Sequence, residues 1–121
     1  MLLSSLLLVL PFAVAQTSHS IARTGYLIDI SCAVERRKQE PDLGAKHTKK
    51  CLQMPACDRS GFGILVDTTN DLLTFDEDGN RQVRALIAKT NRQADFRITI
   101  VGLKDADRIH IKKLKLLDSK L

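Results

Sequence analysis

Three cysteines and a histidine lie in one stretch of the sequence, residues 31–60, and their side chains suit metal binding. They are Cys32, His47, Cys51 and Cys57. Three thiolates and an imidazole make a tetrahedral Cys3His set of the kind that zinc accepts in proteins. Soft thiolates, with Met54 beside them, equally suit Cu(I). These residues therefore predict a metal site, with zinc or copper as the cofactor.

The spacing of these residues leaves other interpretations open. A zinc ribbon repeats Cys-x2-Cys, whereas Cys51 and Cys57 are further apart. Because the cysteine count is odd, one disulfide with a third, buried thiol is the alternative to a metal. Cys51 with His47 could form an activated thiol pair. No oxyanion feature accompanies that pair, so we predict a binding protein rather than an enzyme.

Capping residues and prolines predict two helices in residues 31–60. Ser31 and Asp42 are the expected N-caps, and Pro41 and Pro55 stop the helices. The expected helices are Cys32–Gln39 and Leu43–Met54.

The second of these helices would hold two of the candidate ligands on one face. His47 and Cys51 are one helical turn apart. Cys57 follows the Pro55 turn, which can fold the chain back over that face. We therefore expect Cys57 and Cys32 to converge with them.

The start of the chain, Met1–Ala15, has no charged side chain and is typical of a secretory signal peptide. Its apolar run is shorter than the ~20 residues that cross a bilayer. It ends in Ala13-Val14-Ala15, before a polar segment. We expect residues 16–23 to be an N-terminal extension and residues 24–121 to form one secreted or periplasmic domain without a membrane span. Disulfides persist in such an oxidising compartment.

Alternating apolar residues predict five strands, and apolar residues at helical spacing predict one helix. Asn80 is the expected N-cap of that helix, which fades near Thr90. A β-bulge is expected at Lys112-Lys113, where the alternation slips by one position. The predicted strands are Thr24–Ile30, Gly61–Asp67, Leu72–Phe75, Phe96–Gly102 and Arg108–Leu117.

This order of elements predicts a mostly β fold. It is that of a small OB-like five-stranded barrel, with a helix between the third and fourth strands and a long helical insertion between the first two. An open α+β sheet is the alternative. The first strand should be half-buried, with Tyr26, Ile28 and Ile30 on its buried face and Asp29 on the solvent face. The expected core residues are Ile28, Ile64, Val66, Ile87, Ile98 and Ile100.

Several short motifs together resemble a group of small, exported, uncharacterised bacterial OB-like proteins. The motifs are Gly25-Tyr-Leu-Ile-Asp29-Ile-Ser-Cys32, His47 four residues before Cys51, then Cys57 and the strand that begins Ser60-Gly-Phe-Gly. The pattern of that group is roughly G-x-[LIV]-x-D-x-x-C, then H-x2–3-C and a further C. The resemblance implies an OB-like exported domain in which Asp29 and the four Cys and His residues form a unit. It implies no activity, and the last two cysteines are further apart here than in that pattern.

The chain is also basic, with a formal net charge of +5. OB folds often bind oligonucleotides or oligosaccharides, so an anionic polymer or a partner protein is the alternative ligand. Single-strand binding requires aromatic stacking platforms, however, and the sequence has no Trp. The basic residues concerned are Arg36, Arg37, Lys38, Lys46, Lys49 and Lys50 in the insertion, and Arg108, Lys112, Lys113, Lys115 and Lys120 near the C-terminus.

Overall fold

The computed structural model describes residues 7–12 and 17–119. Within them the chain forms five strands and five helices. In chain order these are β1 (His19–Asp29), α1 (Ile30–Arg36), α2 (Leu43–Lys46), α3 (Lys49–Leu52), α4 (Pro55–Ser60), β2 (Phe62–Val66), β3 (Leu72–Phe75), α5 (Glu77–Lys89), β4 (Arg97–Asp105) and β5 (Arg108–Leu116). The fold is mostly β, because the strands form its centre and the helices pack around them.

The strands close into a barrel in the order β1-β2-β3-β5-β4. All neighbouring strands are antiparallel except β3 and β5, which run parallel. The first strand pairs with two neighbours: its first part pairs with β4 and its last part pairs with β2. Gly25 lies where the two pairings overlap, and a Cβ atom there would come within 2.0 Å of the Leu65 carbonyl oxygen. Only glycine therefore allows the two strands this close approach.

The predicted bulge in the last strand is confirmed. Val101 pairs with Lys113 while the next residue, Gly102, pairs with Ile111, so Lys112 is left without a partner on β4. One extra residue on β5 shifts the phase of the following side chains. Leu114 and Leu116 consequently pack against the core on the same side as Ile109 and Ile111.

The apolar side chains form two clusters, one inside the barrel and one outside it. The barrel cluster contains four of the six predicted core residues: Ile64, Ile87, Ile98 and Ile100. Ile28 lies instead in the second cluster, with Ala33, Leu43 and Leu65, and Val66 is half-buried.

The first strand corrects the expectation of one buried and one exposed face. Leu27 points into the barrel, while Ile28, next to it, packs under the insertion. Asp29 was expected on the solvent face and is fully buried. Both faces at the end of β1 are covered because α1 and α2 pack against its outer side.

Two element starts also differ from those expected. The first strand begins at His19, so residues 19–23 pair with β4 rather than preceding the fold as an extension. The central helix α5 is capped by Asp76, whose side chain accepts from Gly79 N, and not by Asn80. Asn80 is buried inside this helix, and its Oδ1 accepts from the Phe62 backbone N–H at 3.0 Å.

The expected signal-peptide cleavage site, Ala13-Val14-Ala15, lies outside the described residues. Leu7, Leu8 and Phe12, which precede it, are exposed. In residues 7–12 and 17–119 no helix is long and apolar enough to cross a membrane.

Candidate functional site

A buried carboxylate at the end of β1 is the centre of the site. Asp29 is the N-cap of α1, and its Oδ2 accepts from the Cys32 backbone N–H at 3.0 Å. The Ser31 hydroxyl donates to the same oxygen at 2.8 Å. Asp is a stronger N-cap than most residues, since its carboxylate satisfies an otherwise unpaired amide of the first turn. The helix therefore begins at Ile30, not after Ser31 as the sequence suggested.

His47 contacts the other oxygen of the same carboxylate. Its Nε2 lies 2.6 Å from Asp29 Oδ1, and both side chains are almost completely buried. An ionised carboxylate has only acceptors, so Nε2 carries the proton of this hydrogen bond. The imidazole thereby holds the carboxylate through the oxygen that Ser31 does not contact.

The predicted helix Leu43–Met54 is wrong, and with it the shared face of His47 and Cys51. The segment is two short helices, α2 and α3, separated by extended backbone at His47 and Thr48. Thr48 caps α3 through its hydroxyl, which accepts from Cys51 N, and it forms an isolated β-bridge with Ala94. A β-branched residue with a capping hydroxyl favours this break, because it stabilises a new helix start over a continuous helix.

Two of the predicted ligands meet at Asp29. The thiol sulfurs of Cys32 and Cys57 and a carboxylate oxygen of Asp29 all lie within 4.8 Å of one another. Cys32 is the third residue of α1, and Cys57 lies in α4, which packs against α1. Pro55 does not simply stop the preceding helix, since it is the first residue of α4.

Cys51 lies outside this group, on α3, and is half-buried. All three cysteines are free thiols, so the alternative of a disulfide is not realised in the part of the chain that the structure describes. The site therefore contains Asp29, Cys32 and Cys57, with His47 as a neighbour that acts through Asp29. We refer to these four residues below as the Asp–Cys cluster.

Electrostatics in the Asp–Cys cluster favour one negative charge, located on Asp29. Burial alone would raise the pKa of Asp29, but hydrogen bonds from His47, Cys32 and Ser31 outweigh it and hold that pKa well below its usual range. Burial and the adjacent Asp29 carboxylate raise the pKa of the Cys32 thiol to about 12. The same two causes raise the pKa of Cys57. Both thiols are thus neutral beside a carboxylate unless a cation enters between them.

Of the residues that form the site, sequence patterns indicated Cys32, His47 and Cys57, whereas strand alternation assigned Asp29 to solvent. The resemblance to exported bacterial proteins did include Asp29. Helix-capping preferences could also have indicated Asp29. Asp is a preferred N-cap residue, and its side chain can accept from the backbone N–H three residues later, which here belongs to Cys32.

The chain matches no family model, and no curated protein or solved structure is significantly similar to it. The resemblance to the exported OB-like group therefore stays a prediction.

Proposed function

We propose that this protein is an exported OB-like binding module that holds one zinc ion through Asp29, Cys32 and Cys57. The observation that carries this proposal is the convergence of one carboxylate oxygen and two thiol sulfurs within 4.8 Å. The closed barrel, with α5 between β3 and β4, supports the OB-like description. The apolar, uncharged segment Met1–Ala15 supports export.

The donor set favours zinc over the other metals that cysteines bind. Zinc accepts thiolate and carboxylate ligands together, whereas Cu(I) prefers soft sulfur alone. Calcium and magnesium take oxygen ligands and would leave the two sulfurs unused. Three protein donors leave a fourth position for water or an external ligand, as in zinc sites that exchange ligands.

The surroundings of Asp29 support its role as a ligand. Hydrogen bonds from Ser31, Cys32 and His47 hold the carboxylate at its position before any metal binds. Such a supporting shell commonly changes metal affinity by about 10–100-fold when it is removed. His47 therefore acts as a positioning residue for Asp29, and it is not itself a ligand in this proposal.

The test is zinc binding by the reduced full chain, measured by competition with a chromophoric chelator and by metal analysis. We expect one zinc per chain in the wild type and in Cys51→Ser, which is the matched control because Cys51 lies outside the cluster. Cys32→Ser and Cys57→Ser should each lose stoichiometric binding. Equal retention of zinc by all three variants, or no zinc in the wild type, contradicts the proposal.

A second binding experiment distinguishes zinc from Cu(I). Asp29→Asn keeps an oxygen that can cap α1 but removes the anionic ligand. If zinc is the metal, this variant should lose zinc affinity while its binding of Cu(I), which needs only the two sulfurs, changes little. A variant that binds zinc as tightly as the wild type would exclude Asp29 from the site.

The alternative ligand, an anionic polymer or partner protein, has weaker support from the insertion. Arg36 is paired with Glu40 and Lys46 with Asp42, so part of the basic charge is neutralised locally. What favours this candidate is the exposed lysine strip of β5: Lys112, Lys113 and Lys115. Binding to heparin or single-stranded DNA that weakens with salt, and that is lost in a triple Lys→Gln variant of this strip, would support it.

A further inference from the structure

We infer that Cys32 and Cys57 are a thiol–disulfide exchange site that takes a small disulfide, such as oxidised glutathione, as its oxidant. Their sulfurs lie within 4.8 Å of each other, on two helices in contact. Cys51 belongs to a different helix and is not in this group. Of the three pairings that three cysteines allow, the structure thus favours Cys32 with Cys57.

The two thiols differ in accessibility, which assigns them different parts in the exchange. Cys32 is half-buried, whereas Cys57 is 8% exposed. An external disulfide can reach Cys32 first, and Cys57 is sheltered from it but adjacent to Cys32. Cys32 is therefore the attacking sulfur and Cys57 the resolving one.

The exchange balances in two steps. Cys32, which is protonated before the exchange, gives its proton to solvent and attacks one sulfur of the small disulfide as a thiolate. A mixed disulfide forms, and the small thiolate that is released takes up a proton. Cys57 then loses its proton and attacks the Cys32 sulfur, which forms the Cys32–Cys57 bond and releases the second small thiol. The two cysteines are oxidised by two electrons, and the small disulfide is reduced to two thiols.

Oxidation and metal binding exclude each other at this site. The Cys32–Cys57 disulfide would remove two of the three zinc donors, and bound zinc would occupy both sulfurs. This consequence rests on the proposed function, whereas formation of the disulfide does not. An exported chain in an oxidising compartment would thus hold zinc only while the pair stays reduced.

The experiment treats the reduced, metal-free full chain with oxidised glutathione, blocks the remaining thiols and maps the disulfide. Trypsin leaves Cys51 and Cys57 together on residues 51–59, and Met54 lies between them. Cleavage at Met54 with cyanogen bromide therefore separates the two. We expect residues 24–36, which contain Cys32, to be joined to Cys57, with Cys51 carrying the blocking group.

Variants assign the order of attack. Cys57→Ser should stop at the mixed disulfide on Cys32, while Cys51→Ser should form the internal disulfide as the wild type does. A wild-type disulfide that includes Cys51, or mixed disulfides without any internal bond, would overturn the inference. The disulfide map is made on the wild-type chain, so it tests the inference even if a variant fails to fold.

The rate of oxidation measured with and without zinc tests this inference separately from the proposed function. Zinc at about ten times its Kd should slow oxidation about tenfold, because only the unliganded fraction reacts. If the Cys32–Cys57 bond forms at the same rate with zinc present, the exchange site stands and the zinc proposal fails. If zinc binds the wild type but the metal-free chain forms no such bond, the zinc proposal stands and the exchange site fails.

Discussion

The barrel strands from β2 onward and the insertion between β1 and β2 are held by different interactions. In the strands, apolar residues alternate, and their inward side chains share one cluster with α5. In residues 30–60 the helices are four to seven residues long. Helices this short are marginal by themselves, so they depend on the side-chain caps of α1 and α3 and on contacts with β1 or with one another. The comparison teaches that hydrophobic periodicity organises the barrel, while individual polar contacts organise the site.

The largest effect should follow from breaking the barrel. Ile98→Ala removes a fully buried side chain near the start of β4 and should cost ~2–5 kcal/mol of unfolding free energy, the usual range for such a cavity. Urea denaturation measures it, with Val101→Ala as the control, because Val101 is exposed on the same strand. A loss below ~0.5 kcal/mol, the scale of surface changes, would contradict this core.

An intermediate effect should follow from removing the buried charge in the insertion. Asp29→Asn replaces hydrogen bonds to an anion by weaker neutral ones and should cost about 2 kcal/mol at pH 7 in the metal-free chain. The folded-state pKa of Asp29 is lowered, so the carboxylate contributes stability above its unfolded pKa of about 3.9 and loses that contribution as pH falls below it.

The stability difference between wild type and Asp29→Asn should therefore shrink as pH falls through about 4 and below. Urea unfolding of both proteins at a series of pH values measures it. A difference that stays constant into acid would mean that the Asp29 charge contributes nothing to folding.

The smallest of the three effects should come from the cap that divides the insertion helices. Thr48→Ala removes the hydroxyl that accepts from Cys51 N and should cost about 1 kcal/mol. Thr68→Ala, in an exposed turn, is the matched control and should change stability by less than ~0.5 kcal/mol. If the two variants lose equal stability, the Thr48 cap does not stabilise α3.

Most of the barrel could be predicted from sequence, because each strand repeats its signal over several residues. The third strand was predicted with its observed ends, and the slip at Lys112 was enough to place the bulge. Where the signal was a single residue, prediction failed. Asn80 has an ideal N-cap side chain, yet it is buried in α5 because its amide oxygen is used by Phe62 N.

The sequence by itself determined the elements of the barrel and the stretch that holds the two thiols of the site, since composition and periodicity are local properties. Tertiary structure alone decided which of the candidate ligands meet. Asp29 is buried because the insertion covers β1 on its outer side, and no pattern within β1 encodes that cover. Cys57 rather than Cys51 reaches Cys32 because Thr48 breaks the expected helix and α4 packs on α1. Those contacts join residues far apart in the chain, and local spacing carries no information about them.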